Sequence, residues 1–213
     1  TIVATGVNPV NGTEVDDVIV GTDGPDTING LGGDDLICGR DGDDTIIPGS
    51  GDDTVYGGRG DDRISYLGSI DDGNDTLFGD GGNDIIDNDY GVNVVHGGSG
   101  SDVVTGSGQM YGDSGDDSSV YAFETSLSAG DAFASGGSGS DIVSVAGGVA
   151  DGGSGNDRVS GGHSGDKLIG SSGSDTLYTN TLVPDQILDC GSGYDTYTAD
   201  PTDAVLSNCE NAV

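Results

Sequence analysis

The sequence predicts an all-β chain that winds into a solenoid of very short strands joined by tight turns. Its 213 residues include 43 glycines and 38 acidic residues, of which only three are glutamates, so glycine and aspartate make up more than a third of the chain. Both residues are disfavoured in helices and ordinary strands and favoured in turns. A regular scatter of isoleucine, valine and leucine accompanies them, which argues against a disordered chain.

An aspartate recurs at every ninth residue in the first third of the chain, and an aliphatic residue follows each aspartate by two positions. The aspartates are Asp17, Asp26, Asp35, Asp44, Asp53 and Asp62. The aliphatic residues are Ile19, Ile28, Ile37, Ile46, Val55 and Ile64. The pattern reads G-G-x-G-x-D-x-U-x, where U is a large aliphatic residue, and GGSGSDVVT at 97–105 and GGSGSDIVS at 136–144 are full copies.

The residue types in this nonapeptide explain how one unit would fold. Glycines at positions one, two and four permit backbone angles that other residues resist, so the first six residues can form a tight turn. The remaining x-U-x is a very short strand. Two units then complete one coil of about 18 residues, and units two apart lie above one another. We expect two facing stacks of side chains: Ile28, Ile46 and Ile64 in one, and Ile19, Ile37 and Val55 in the other.

The nonapeptide is similar to the signature of the RTX, or haemolysin-type, calcium-binding repeat family. The resemblance covers roughly residues 12–198 and implies a right-handed parallel β-roll, or β-helix solenoid, with calcium ions bound in the turns. In that fold, position-six carboxylates and turn carbonyls supply the oxygen ligands that calcium prefers, and roughly eight to twelve ions per chain are expected. The candidate ligands are Asp17, Asp26, Asp35, Asp44, Asp53, Asp62, Asp75, Asp84, Asp102, Asp117, Asp141, Asp157, Asp166, Asp175 and Asp195.

Calcium is also expected to drive folding. One buried aliphatic side chain per nine residues provides little apolar burial to offset the ordering of the backbone. The carboxylates crowded along each edge repel one another. The sequence therefore predicts an unfolded calcium-free chain and a folded calcium-bound form.

Interruptions of the repeat divide the chain into five parts. Residues 1–11 are expected to form a lead-in strand that caps the first coil, and residues 12–105 carry regular repeats with an insertion at 66–69. Degenerate repeats and a loop follow at 106–135, regular repeats return at 136–178, and residues 179–213 hold a last site and a C-terminal cap. Asn93 stands where an aspartate is expected, which predicts a weak or empty site. Ser119 follows Asp117 where an aliphatic residue is expected, which predicts a bulge or surface loop.

The three cysteines indicate whether the protein folds in an oxidising or a reducing compartment. Cys190 and Cys209 lie close together near the end of the chain and are expected to form a disulfide that fastens the C-terminal cap, whereas Cys38 stands alone. A disulfide implies an oxidising compartment, so secretion or display at the cell surface is expected.

Two short motifs suggest other functions and have a simpler explanation within the repeat. Arg59-Gly60-Asp61 is the tripeptide that integrins recognise, but Arg59 and Asp61 fill variable positions, and the expected ligand is Asp62. GDSGD at 112–116 resembles the nucleophile box of a serine protease, with His96 and His163 available as a base. That box lies inside a repeat, and the chain lacks the paired barrels of such a protease. The histidines are expected at repeat positions nine and three.

Other metal and surface functions fit the chain poorly. EF-hand loops need a glutamate at their twelfth position and flanking helices, and zinc sites need a ligand spacing that the histidines and cysteines do not show. Aligned threonines can form an ice-binding face, and Thr27 and Thr45 stack, but Arg63 breaks their column. A net charge of −33 disfavours nucleic acid and anionic membranes.

The sequence thus predicts a non-enzymatic, secreted calcium-binding repeat protein with a structural, adhesive or calcium-responsive role. A monomer is expected, with calcium ions as its ligands and a cell-surface or polysaccharide partner left open. The alternative is a non-catalytic calcium-binding module of a larger secreted hydrolase, epimerase or toxin. An ice-binding solenoid is a more remote alternative.

Overall fold

A computed structural model describes residues 2–3, 8–66, 73–123, 132–163, 165–179 and 186–212, and their secondary structure consists of β-strands and turns. All strand pairings are parallel, and the strands form a solenoid of about ten turns. Across these residues there is no helix, and hence none long and apolar enough to cross a membrane. The all-β parallel solenoid predicted from the sequence is confirmed.

Three residues is the commonest strand length, as x-U-x predicts, and the strands lengthen in the middle of the chain. They are β1 (Ile2–Val3), β2 (Val10–Asn11), β3 (Val18–Val20), β4 (Thr27–Asn29), β5 (Leu36–Asp41), β6 (Thr45–Ile47), β7 (Thr54–Arg59), β8 (Arg63–Ser65), β9 (Thr76–Gly81), β10 (Ile85–Ser99), β11 (Val103–Ser114), β12 (Ser119–Phe123), β13 (Ala132–Ser138), β14 (Ile142–Ala146), β15 (Gly148–Ser154), β16 (Arg158–Gly161), β17 (Lys167–Ile169), β18 (Thr176–Tyr178), β19 (Ile187–Asp189), β20 (Thr196–Thr198), β21 (Ala204–Val205) and β22 (Asn211–Ala212).

Strands two apart in the sequence pair with each other, so the chain alternates between two facing sheets. On one sheet Ile28 is in register with Ile46, and Ile46 with Ile64. On the other, Ile37 lies between Ile19 and Val55. The coil of two nonapeptides and both predicted stacks are therefore confirmed. The long strands β10 and β11 each contribute to both sheets and pair with each other along their length.

The core lies between the two sheets and is one side chain deep per strand. The aliphatic residue at position eight of each regular unit is fully buried, from Ile19 to Leu188. In the degenerate units the same column continues through Met110, Ala134 and Ala150, which are also fully buried. Smaller residues enter the core where the units are shortened.

The bulge expected near Asp117 is confirmed, but the assignment of Ser119 to position eight is wrong. Val120 rather than Ser119 is fully buried, in register with Val104 below and Val143 above. Ser118 is one extra residue, and its backbone N–H donates to the Asp102 carbonyl at 3.0 Å. The insertion at 66–69 and the loop around 124–131 lie largely outside the described residues.

Aromatic rings form a column on the outer face of one sheet. Tyr56, Phe78, His96 and Tyr111 stack in that order, with centroid distances of 5.0, 5.3 and 4.6 Å and interplanar angles of 5° to 11°. These residues occupy position nine of successive coils, which is the repeat position expected for His96. Tyr111 also contacts Phe133 at 5.5 Å in a tilted arrangement.

The last coil contains the predicted disulfide between Cys190 and Cys209, with a Cα–Cα distance of 5.1 Å. Cys38 is a free, half-buried thiol. The chain after Cys190 still pairs with the solenoid, since β21 pairs with β19 and β22 pairs with β20. The disulfide therefore ties the final turn to the coil beneath it.

Candidate metal-binding edges

Position-six residues form two columns, one along each edge of the solenoid where the turns connect the sheets. All fifteen aspartates predicted as ligands lie in these columns. The first edge holds Asp17, Asp35, Asp53, Asp75, Asn93, Asp166, Gln186 and Asp203. The second edge holds Asp26, Asp44, Asp62, Asp84, Asp102, Asp117, Asp141, Asp157, Asp175, Asp195 and Glu210.

From Asp35 on the first edge and Asp44 on the second, one oxygen of each carboxylate accepts a backbone N–H of the coil before it. Asp62 Oδ1 accepts the N–H of Asp44 at 2.8 Å, and Asp84 Oδ1 accepts the N–H of Asp62 at 2.8 Å. The same bond recurs along the second edge as far as Glu210, whose Oε2 accepts the N–H of Asp195 at 3.0 Å. We call this series the carboxylate ladder. It fixes each aspartate side chain in the turn and aims its second oxygen between two coils.

Within the described part of the chain, the second oxygen, Oδ2, of nine of these aspartates is buried and has no hydrogen-bond partner. They are Asp35, Asp44, Asp62, Asp84, Asp102, Asp117, Asp141, Asp157 and Asp175. All nine side chains are at most 3% exposed. A buried carboxylate oxygen without a partner is costly, so a recurring set of nine indicates that a positive group completes the site.

Backbone carbonyls lie beside these oxygens because position one is glycine. A Cβ built on Gly57 would lie 2.5 Å from Asp62 Oδ2 and 2.8 Å from the Gly79 carbonyl oxygen. A Cβ on Gly136 would lie 2.5 Å from Asp141 Oδ2 and 2.5 Å from the Gly152 oxygen. Glycine thus leaves room in which carboxylate and carbonyl oxygens converge. Such an all-oxygen set suits a hard cation such as calcium.

Burial changes the acidity of the same groups. It raises the pKa of Asp62, Asp84, Asp117 and Asp175 to about 7. It raises the pKa of Asp44 and Asp157 to about 6. Neighbouring carboxylates add to the effect of burial, whereas the bond from the preceding backbone N–H opposes it. A bound cation would remove this penalty by stabilising the ionised form.

Four of the predicted ligands have Oδ2 bonded to the protein itself, and in one of them, Asp75, Oδ2 accepts the side-chain amide of Asn88 at 3.1 Å. Asp17 Oδ2 accepts the backbone N–H and the hydroxyl of Thr13, both at 2.8 Å. Asp26 Oδ2 accepts the same two groups of Thr22 at 2.6 and 2.9 Å. Asp166 Oδ2 accepts the N–H groups of Gly162 and His163 at 2.9 and 2.7 Å. The first coil and the coil of Asp166 therefore differ from the nine sites above.

Sequence reasoning missed Gln186, Asp203 and Glu210 as members of the two columns. Gln186 is fully buried, and Asp203 Oδ1 accepts its backbone N–H at 2.9 Å. The spacing from Gln186 to Asp203 is 17 residues and that from Asp195 to Glu210 is 15. Neither is a multiple of nine. The acidic side chains near the disulfide were the available signal.

The structure also places the residues of the two competing motifs. Asp61 is exposed, and its Oδ1 accepts the backbone N–H of Asn83 at 2.7 Å. Arg59 pairs with Asp41 at 3.2 Å. In GDSGD, Ser114 donates its hydroxyl to the Gly98 carbonyl at 3.0 Å, and Asp113 Oδ2 lies 2.9 Å from Nδ1 of His96. The position-seven column runs from Thr45 to Arg63 as expected.

Comparison with protein families supports the chemistry of the edges. The family model described as the RTX calcium-binding nonapeptide repeat matches in four copies, at residues 11–46, 39–68, 71–91 and 148–177. Together these segments cover just over half of the chain. No curated protein matched the chain in a sequence comparison.

Proposed function

Because the chain belongs to the RTX calcium-binding nonapeptide repeat family, we propose that its solenoid folds by binding calcium ions between successive coils. The observation that supports this proposal is the set of nine buried Oδ2 atoms without a hydrogen-bond partner. Eight of the nine lie where a turn carbonyl approaches, as beside Gly57 and Gly136. The proposed ligands are the position-six aspartates together with these carbonyls, in a right-handed β-roll.

Calcium would supply the positive charge that these edges lack. The chain carries five lysine and arginine residues against 38 acidic ones, and two arginines already pair with exposed aspartates. Without a cation, the ionised carboxylates of adjacent coils repel one another. With one, both carboxylates and the carbonyls between them stabilise the same ion. Folding and calcium binding are then coupled.

The proposed biological role is that of a secreted structural, adhesive or calcium-responsive protein. Extracellular calcium is abundant enough to fill sites of modest affinity, whereas such sites stay empty in a cytosol kept at low calcium. The disulfide between Cys190 and Cys209 supports an oxidising compartment. A monomer is proposed, and its outer partner would be a cell surface or polysaccharide.

A calcium titration followed by far-ultraviolet circular dichroism and calorimetry tests the proposal. We expect a disordered spectrum in chelator, a β spectrum in millimolar calcium, and binding of roughly eight to twelve ions per chain. Magnesium at the same concentration is the control, because it requires a tighter octahedral shell and retains its waters. Identical spectra in chelator and calcium, or binding of at most two ions, would refute the proposal.

A further inference from the structure

The two edges differ in what stands at position six beyond the fourth coil. The second edge carries a carboxylate in every coil from Asp26 to Glu210. On the first edge, the run of aspartates is interrupted after Asp75, where Asn93 occupies the next position. The three following coils have residues without an oxygen-bearing side chain there, namely Gly108, Ala132 and Gly148. Asp166, Gln186 and Asp203 complete this edge.

The amide groups of Asn88 and Asn93 occupy the spaces between coils where a cation would lie. Asn88 stands at position one, where most other units have glycine, and its Nδ2 donates to Asp75 Oδ2 at 3.1 Å. Asn93 Oδ1 keeps the ladder bond to the N–H of Asp75 at 2.8 Å. Its Nδ2 donates to the turn carbonyl of Tyr90 at 2.7 Å and to Ser107 Oγ at 3.3 Å. Both asparagines are at most 1% exposed.

Farther along the first edge, N–H groups of the protein contact the oxygens that a cation would otherwise contact. The carboxylate of Asp166 accepts four backbone N–H groups, two at Oδ1 from Gly147 and Gly148 and two at Oδ2 from Gly162 and His163. Gln186 Nε2 then donates to the turn carbonyl of His163 at 2.9 Å. A carbonyl that would face a cation in a regular unit therefore faces an amide nitrogen.

We infer that calcium binds along the second edge from Asp44 onward but only in the N-terminal coils of the first edge, and that the amides of Asn88, Asn93 and Gln186 replace it beyond them. The inference rests on the proposed calcium binding. An amide N–H₂ group presents a partial positive charge to the carbonyl or carboxylate oxygen that it contacts. Among the described residues the remaining amide oxygens, Asn88 Oδ1 and Gln186 Oε1, are buried without a partner, but unlike the nine Oδ2 atoms they carry no net charge that needs a counter-ion. In the C-terminal two-thirds of the solenoid, metal thus stabilises the second edge, whereas the first edge is held by the amides of Asn88, Asn93 and Gln186 and by the backbone N–H groups around Asp166.

Lanthanide anomalous diffraction from crystals of the unaltered protein tests where cations lie. We expect peaks beside Oδ2 of Asp84 and Asp102 and none beside Asn88, Asn93 or Gln186. A peak between Asn93 and Ser107 that matches those of the second edge would overturn this inference while leaving the proposed function intact. Absence of metal along both edges would overturn the proposed function and this inference with it.

A gain-of-site variant gives a second test in solution. Asn88→Gly combined with Asn93→Asp restores glycine at position one and aspartate at position six. We expect calcium bound at saturation, counted by equilibrium dialysis, to rise by one ion per chain. Asn156→Asp is the matched control, because the exposed Asn156 side chain accepts the N–H of Ser174 through Oδ1 at 2.8 Å, a bond that aspartate retains. An unchanged ion count in a folded double variant would contradict the replacement of calcium by amides.

Discussion

Asp62→Asn isolates the contribution of a single Oδ2 atom. Asparagine retains the Oδ1 that accepts the N–H of Asp44 at 2.8 Å, so the carboxylate ladder is preserved. It replaces the buried Oδ2, which has no hydrogen-bond partner, with an uncharged N–H₂ group that cannot bind calcium. Asp61→Asn is the matched control, since it makes the same chemical change one residue earlier on an exposed side chain.

The expected size of the effect follows from the number of sites that the atom touches. A calcium site with a dissociation constant of about 0.1 mM contributes about 1.4 kcal/mol at 1 mM calcium. An ion between two coils contacts both, so Asp62→Asn weakens one or two sites and costs about 1.4 to 2.8 kcal/mol. For a chain of this size, that lowers the melting temperature by about 3 to 11 °C.

Thermal unfolding at a series of calcium concentrations measures this effect directly. The melting temperature should rise with the logarithm of calcium concentration for every variant, because calcium binds the folded state. The rise should be shallower for Asp62→Asn, which binds fewer ions, and unchanged for Asp61→Asn. Equal slopes for Asp62→Asn and the unaltered protein, or equal losses in the two variants, would refute the assignment of Oδ2 as a ligand.

Three further perturbations have expected outcomes. Calcium affinity measured by calorimetry should fall between pH 7.5 and 5.5, because the pKa of Asp62, Asp84, Asp117 and Asp175 is raised to about 7 and protons then compete with the ion. With chelator present the sign reverses: the folded chain binds more protons than the unfolded chain, so the calcium-free equilibrium, which favours the unfolded chain at neutral pH, shifts toward the folded state as the pH falls through this window. A pH-independent affinity would contradict the competition between protons and calcium. Cys209→Ser removes a disulfide spanning 19 residues, so it should lower the free energy of unfolding by about 3 kcal/mol and speed hydrogen exchange in β20 to β22. Cys38→Ser is the control, and equal effects of the two variants would show that the cap does not depend on the disulfide. Leu77→Ala truncates a fully buried side chain and should lower the free energy of unfolding, measured with denaturant, by about 2 to 5 kcal/mol. Leu36→Ala, at a side chain 42% exposed on the outer face, should lower it by under about 1 kcal/mol. Similar losses in the two variants would contradict the assignment of the core.

The period of nine was enough to predict the register of the solenoid. Position eight must be apolar in every unit because it is the only side chain that faces the core of a three-residue strand. Ile28, Ile46 and Ile64 therefore lie in register, as their spacing indicates. The period could not place Val120, because one extra residue, Ser118, shifts the core position in that unit. A single-residue bulge leaves no mark in a pattern already degenerate.

The position-six aspartates could be predicted, whereas the differences between the two edges could not. The motif places every aspartate in the same turn but does not show which donors approach it from the neighbouring coil. The sequence shows that Asn93 departs from the repeat, because it replaces an aspartate at position six. It does not show the role of Asn88, which depends on a contact with Asp75, 13 residues away. Gln186 and Glu210 could be assigned to the columns only from the structure, since the units before them have irregular lengths.

The aromatic column on the outer face gives the protein an optical signal of its own. The chain contains eight tyrosines and no tryptophan, and Tyr56 and Tyr111 lie at the ends of a stack whose neighbouring rings are within 11° of parallel. Ordered rings at such separations produce near-ultraviolet circular dichroism that vanishes when packing is lost. Because the stack lies on a sheet face and not at an edge, its spectrum reports the alignment of four coils separately from the filling of the turns.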